Sequence, residues 1–386
     1  MIIPQKYKAI NWADGMKVNK DHFIGTENFF TDQIRDTASL GINNYNFGML
    51  PPLSGGGAVL SNYILSRSGS NQLHISVDNF HAVTPGGVRI NVADEALEES
   101  IKLSDLEGDA EGIKTEAAEH YYLVLVVNLH EKVPGGNPDP DEIPIRQPHS
   151  KPQYTLQVVP VNSLNFNELG AYHLVIGRVT KNGKDVSRDD NFIPPCTAII
   201  SSDKLKQHYR GIVEYMSDIQ NLSEQIIQKV NFKDQRAPVA QNVKQLCTVI
   251  LNYCAEQYFN LKNIIPQQPP VFLVDAMAQF SNKVSTYIKV LAESEKEEML
   301  NYFFEWSDIT PVSLTDKLSY VVDINYNHHN NGEYFAGINA MLNNILVILQ
   351  RLNTLEYIGL KKENIVVKEE VLTKANKDKK GWNILD

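Results

Sequence analysis

The chain has 386 residues, 42% hydrophobic and 21% charged, with 46 acidic against 36 basic side chains and a formal net charge of -10. That length predicts two or three domains, each able to bury its own core. The acidic balance argues against nucleic-acid binding, which draws on clustered lysine and arginine. No run of about 18 apolar residues is present to span a bilayer. The opening Met1-Ile2-Ile3-Pro4-Gln5-Lys6 lacks the basic-then-apolar order of a secretory signal. Cys196, Cys247 and Cys254 are odd in number and form no Cys-x-x-Cys pair, so they predict reduced thiols in a cytoplasmic protein.

From the N-terminus, a loop-like start leads into short runs rich in Val, Ile, Leu and Tyr. Strands are predicted over 59–66, 73–77, 88–92, 121–129, 154–161 and 173–179. Turn chemistry separates them at Ser54-Gly55-Gly56-Gly57, at Pro85-Gly86-Gly87 and at Lys181-Asn182-Gly183-Lys184, where Asn-Gly suits a hairpin. Residues 133–153 are rich in Pro, Gly and Asp and read as a long exposed loop. This half, residues 1–200, predicts an antiparallel β-sandwich or barrel.

After residue 200 the apolar period changes from two to about 3.5. One stripe runs Ile212, Met216, Ile219, Ile226, Val230, and a second Val239, Val243, Leu246, Ile250, Tyr253. A third runs Met277, Phe280, Val284, Tyr287, Leu291, and the fourth Ile338, Leu342, Ile345, Leu349, Leu352. Four amphipathic segments predict a four-helix bundle over 201–358, with breaks at 233–234, 266–270 and 304–333. Residues 359–386 form a short charged tail.

No pattern for chemistry survives inspection. There is no phosphate-binding glycine loop ahead of a helix and no Gly-x-Ser-x-Gly elbow. His328-His329 sits among Asn327, Asn330 and Asn331, but adjacent imidazoles diverge on either a strand or a helix. Asn137 to Glu142 is acidic, yet its prolines deny calcium the staggered ligands it needs. Cys247 and Cys254 lie two helical turns apart, too far for a disulfide. Glu293 to Glu298 reads as a solvated helix face. The chain is therefore read as a non-enzyme with no metal and no cofactor.

Three ordered segments carry a resemblance. Asn11-Trp12-Ala13-Asp14-Gly15-Met16 precedes Asp21-His22-Phe23; Phe80 to Val92 reads FHAVTPGGVRINV; and Ile176-Gly177-Arg178-Val179 leads to Asp190-Asn191-Phe192-Ile193-Pro194-Pro195-Cys196. In this order they resemble the TssK family of type VI secretion baseplate proteins, over roughly residues 6–357. The Tyr326-Asn327-His328-His329-Asn330 loop resembles one the family places before its last neck helix.

The resemblance implies an α+β multidomain fold: a β-sandwich like the shoulder of phage receptor-binding proteins, then a four-helix bundle neck. It implies a homotrimer that joins the baseplate wedge, made of TssF and TssG, to the inner-membrane complex from the cytoplasmic side of that membrane. About 29 residues follow the fourth helix, too few for the family's head domain. Trp12, Met16, His22 and Phe23 are the expected wedge contacts, because buried aromatic anchors dominate interfaces. Lys377, Lys379, Lys380 and Trp382 are the expected contacts on the membrane-complex side. The competing reading is a phage-like receptor-binding or fibre-attachment protein of a contractile injection system.

Overall fold

The computed structural model describes residues 3–52, 62–68, 72–93, 96–102, 119–183 and 185–359. The expected Ser54 to Gly57 turn and the tail contacts Lys377, Lys379, Lys380 and Trp382 lie outside the described residues. The chain opens with an extended arm, residues 3–18, and a helix that the sequence reading takes for loop, α1 (Lys20–Ser39). Asn19 caps it, its Oδ1 accepting from His22 N while the His22 ring accepts from Asn19 N.

Among the described residues ten strands follow, in three antiparallel sheets. The first holds β1 (Gly48–Met49), β4 (Phe80–Val83) and β5 (Arg89–Val92); the second β2 (Asn62–Ser68), β3 (Gln72–Asp78) and β6 (Leu97–Lys102). The third runs β10-β9-β7-β8, from β7 (Glu119–Gly135), β8 (His149–Pro160), β9 (His173–Asn182) and β10 (Asp185–Arg188). Each predicted strand has a counterpart among the described residues, although 59–61 of the first lie outside them, and the Asn182-Gly183 turn leads from β9 toward β10. The predicted loop 133–153 is shorter than expected. Val133, Pro134 and Gly135 pair with Lys151, Ser150 and His149, so strand pairing continues past the first proline.

β7 explains its own apolar run. Tyr121, Leu123, Leu125 and Val127 face the main core, whereas Tyr122, Val124 and Val126 join Val175 and Phe192 in a second cluster. Half-buried Val161, Leu164, Phe166 and Leu169 cover that second face. A strand buried on both faces loses its polar alternation.

The helical half contains α2 (Asp203–Phe232), α3 (Pro238–Phe259), α4 (Pro270–Val290), α5 (Glu293–Ser307), α6 (Pro311–Val322) and α7 (Glu333–Thr354). The predicted stripes are the inner faces of α2, α3, α4 and α7, except that in α4 Ile288 is buried where Tyr287 is half-buried and Leu291 lies beyond the helix. The segment read as a break over 304–333 instead holds the end of α5 and all of α6. Thr310 caps α6, its hydroxyl accepting from Ser313 N at 3.1 Å, and Pro311 occupies the first turn. α7 is long and apolar enough to cross a bilayer by composition, with mean hydropathy 1.2. Ile338, Leu342 and Leu349 instead lie in the bundle core between α2 and α6. Cys247 and Cys254 are buried free thiols on α3, their pKa values pushed up to about 12 by burial. The main core runs from the sheets through Phe47, Met49, Ile193 and Cys196 to Leu205 of α2 without a break.

Candidate docking surface

The arm runs antiparallel to α1 and is tied to it along its length. Asp32 accepts from the backbone N–H groups of Lys6 and Tyr7, and Gln5 Nε2 donates to Asp36 at 3.1 Å. Arg35 donates to Ile3 O at 3.2 Å and to Asp32 Oδ1 at 3.0 Å. Further along, Ile10 crosses Gly25, where an added Cβ would stand 3.2 Å from its Cδ1. Trp12 then meets the His22 ring at 5.8 Å. Burial alone would raise the Asp32 pKa; the N–H groups of Tyr7 and Lys6 and the Arg35 guanidinium outweigh it and hold the carboxyl below its ordinary range. Asp32 and Arg35 are 1% and 2% exposed, so each needs the other.

α1 is amphipathic the wrong way round for a core helix. Its buried side is Asn28, Asp32, Arg35 and Ser39, spaced four, three and four residues apart. Its outward side carries Phe23 at 65%, Phe30 at 58% and Ile34 at 71% exposure. These three are spaced seven and four apart and share one face. Trp12 is 51% exposed beside the His22 ring, while Met16 and His22 are half-buried. The four expected wedge residues thus lie on the arm and the first turn of α1, with Trp12 and Phe23 open to solvent.

The loop before α7 joins the two halves of the chain. Asn331, fully buried, donates from its backbone to Ile193 O at 3.1 Å and from Nδ2 to Pro194 O at 3.0 Å. His328 Nε2 lies 2.8 Å from Phe47 O and so carries a proton there, leaving Nδ1 to accept. The Tyr326 hydroxyl is 2.8 Å from that Nδ1 and 2.6 Å from Asn331 Oδ1, dividing one proton between two acceptors. Burial lowers the pKa of both His328 and His329 to about 4. His329 stacks on Phe166, with ring centroids 4.7 Å apart. Met49 N donates to Pro195 O at 2.8 Å, and Thr197 N returns to Met49 O at 2.9 Å. Gly48 makes this approach possible: at φ +107°, a Cβ would stand 2.1 Å from Pro195 O.

Among the described residues no cluster of His, Cys, Asp and Glu is arranged to hold a metal ion. What the chain offers is an exposed apolar surface on a braced frame. A chain from the baseplate complex of the type VI secretion system superposes with TM-score 0.52 and 15% identity, over 88% of this chain and 99% of that one. This chain has the fold of a type VI secretion baseplate subunit. A crystal structure of TssK matches with TM-score 0.45 and 16% identity, over 87% and 69% of the two chains. The TssK-TssF-TssG baseplate subcomplex matches with TM-score 0.46 and 15% identity, over 88% and 99%. No family model matches the sequence, and no curated protein matches it.

Sequence reasoning missed α1 and the outward Phe30 and Ile34. The available signal was Asn19 ahead of the Phe23, Phe30, Ile34 spacing, which follows the helical period. It also missed Asp32 and Arg35, whose role lies in contacts with residues some 25 to 32 positions away.

Proposed function

We propose that this chain is a structural adaptor of a type VI secretion baseplate, with no catalytic role. The observation that carries the reading is the fold shared with a baseplate-complex chain over 88% of this chain and 99% of that one. In this reading the protein is a homotrimer in the cytoplasm at the inner face of the inner membrane. Its arm and α1 receive the wedge proteins TssF and TssG, with Trp12, Met16, His22 and Phe23 as contacts. Lys377, Lys379, Lys380 and Trp382 of the tail serve the membrane-complex side. Exposed aromatic side chains support the wedge surface, because such anchors supply most of the energy of an interface.

The test is affinity capture of the tagged full chain from its own cells, with mass spectrometry of the eluate. Wild-type protein should recover TssF-like and TssG-like proteins, and a Trp12→Ala/Phe23→Ala variant should lose them while keeping its oligomeric mass. Recovery of neither protein by a soluble, oligomeric wild type would move the assignment to a receptor-binding protein of a contractile injection system. A monomeric mass in light scattering would remove the trimer.

A further inference from the structure

We infer that Ile143 and Ile145, at the tip of the β7–β8 hairpin, enter an apolar pocket on another protein whose rim carries lysine and arginine. The inference goes beyond the adaptor reading and does not depend on it.

The first observation is shape. β9 leaves β7 after Val126, whereas the pairing of β7 with β8 runs on to Gly135 and His149. The last pairs, from Lys132 to Gly135, are therefore a two-stranded finger. Its base is held in place: Lys132 pairs with Glu27 of α1, and the His130 ring lies 4.4 Å from that of Tyr7 in the arm. From Gly136 to Pro148 every residue except half-buried Glu142 is exposed. The loop is tied to itself. Asp139 Oδ1 accepts from Asp141 N at 2.9 Å, Asp139 O from Glu142 N at 3.3 Å, and Arg146 Nε donates to Glu142 at 2.7 Å. Ile143 is 94% exposed, the highest value for a large apolar side chain among the described residues, and Ile145 is 65% exposed. With Pro144 between them they present on the order of 300 Å² of apolar surface, the scale at which a patch marks an interaction site. The proline and the turn restrict that surface to few shapes, so little freedom is lost when a partner takes it.

The second observation is charge, and it decides the partner's chemistry. Asp141 and Glu142 directly precede Ile143, Asp139 opens the turn, and Arg146 directly follows Ile145. Arg146 is paired with Glu142. Asp139 and Asp141 are exposed, and neither is in an ion pair among the described residues. Three carboxylates against one guanidinium leave the tip at a net charge of -2. On the strands below, Lys132 is paired with Glu27, and Lys151 lies along Gly135, short of the tip. An anionic bilayer repels such a tip, and so does the same tip on a second copy of the chain. An apolar pocket with a basic rim accepts the isoleucines and the carboxylates together.

The experiment places the photo-cross-linking residue p-benzoylphenylalanine at Ile143 of the full chain, irradiates the protein's own cells and sequences the adducts. The expected adduct is with one other protein, at an apolar peptide that carries more Lys and Arg than Asp and Glu. That protein, purified, should bind the wild-type chain about tenfold tighter than an Ile143→Asp/Ile145→Asp variant. A D139K/D141K variant should bind it about fivefold more weakly near 50 mM salt, with the difference shrinking near 300 mM. Both variants alter only exposed positions and should keep the wild-type circular dichroism. Adducts with lipid alone, with this chain alone or with nothing overturn the inference, as does an acidic partner peptide. A partner held equally by wild type and Ile143→Asp/Ile145→Asp also overturns it. A TssF-like or TssG-like adduct of the stated chemistry makes the finger part of the wedge contact, and any other protein with such a peptide makes it a separate site. Wedge proteins recovered by affinity capture with Ile143→Asp/Ile145→Asp, while the cross-link fails, keep the adaptor and discard the finger.

Discussion

Asn331 is the side chain at which the joint between the halves can be tested most sharply. In Asn331→Ala the Tyr326 proton passes wholly to His328 Nδ1, so the hydroxyl keeps a partner. Pro194 O loses its Nδ2 donor and retains only the weak Cys196 thiol at 3.2 Å. A buried acceptor left that way costs about 2 kcal/mol, and the vacated space adds about 1 kcal/mol. Asn331→Asp fills the space but sets an oxygen against Pro194 O in a fully buried site, where an unpaired carboxylate is worse still. The expected order of stability near pH 7.5 is wild type, then Ala, then Asp. Near pH 5 the buried carboxyl takes up a proton and can donate to Pro194 O, so Asp should close on Ala. Urea unfolding followed by far-UV circular dichroism at the two pH values reads this directly. An Asp variant at least as stable as Ala near pH 7.5 would refute the reasoning, since the Nδ2 donor would then not be the group that matters.

Acid should loosen the same joint. His328 and His329 have pKa values of about 4 in the folded chain, so the unfolded chain takes up protons first as pH falls from about 6.5. Stability is full above that window and is lost across it, by at most about 2 kcal/mol per ring between about pH 7 and pH 5. His329→Phe keeps a ring on Phe166 and removes one titration, so its stability relative to wild type should rise by about that amount; parallel pH curves would contradict this. Gly48→Ala should cost about 3 kcal/mol or more, through positive φ and the clash with Pro195 O. Gly15→Ala, at φ +76° with nothing within 4 Å, should cost only about 1 kcal/mol; equal melting shifts would dismiss the clash. Asp32→Asn removes the nearer of two carboxylates on buried Arg35, leaving Asp36 at 3.6 Å, a loss of about 3 kcal/mol. Hydrogen exchange should show the arm, residues 3–10, opening before the sheets, and unchanged protection there would show that Asp32 does not hold it.

The sequence makes the helical half legible where burial and period agree. Ile338, Leu342, Ile345, Leu349 and Leu352 are all buried at the spacing that predicts a helix. Strands β3, β7 and β9 were likewise legible from β-branched and aromatic runs. α6 was hidden because Pro311 and a polar start look like a break, although Thr310-Pro311 is itself a start signal. α1 was hidden for a deeper reason. Period alone does not say which face of a helix is inside, and this one buries its polar stripe. Asn331 and His328 look like solvated loop residues, since only the folded chain brings Phe47 and Pro194 beside them.

The inverted helix and the buried loop belong to one mechanical path. The backbone of α1 at Arg35 and Ser39 presses on Gly87, at the turn between β4 and β5. β4 pairs with β1, β1 binds the Pro195 to Thr197 backbone, and Asn331 ties Ile193 and Pro194 to the start of α7. The steps are backbone hydrogen bonds, the Asn331 side-chain hydrogen bond to Pro194 O and the tight contact at Gly87, and close-packed interiors transmit displacement rather than absorb it. A partner seated on the Phe23, Phe30, Ile34 ridge is therefore held at a fixed position relative to the helices. That fixity is what the proposed adaptor reading would require. Hydrogen bonds fix direction as well as distance, and apolar contact does not, so buried Asp32, Arg35, His328 and Asn331 set a geometry that apolar side chains would leave free.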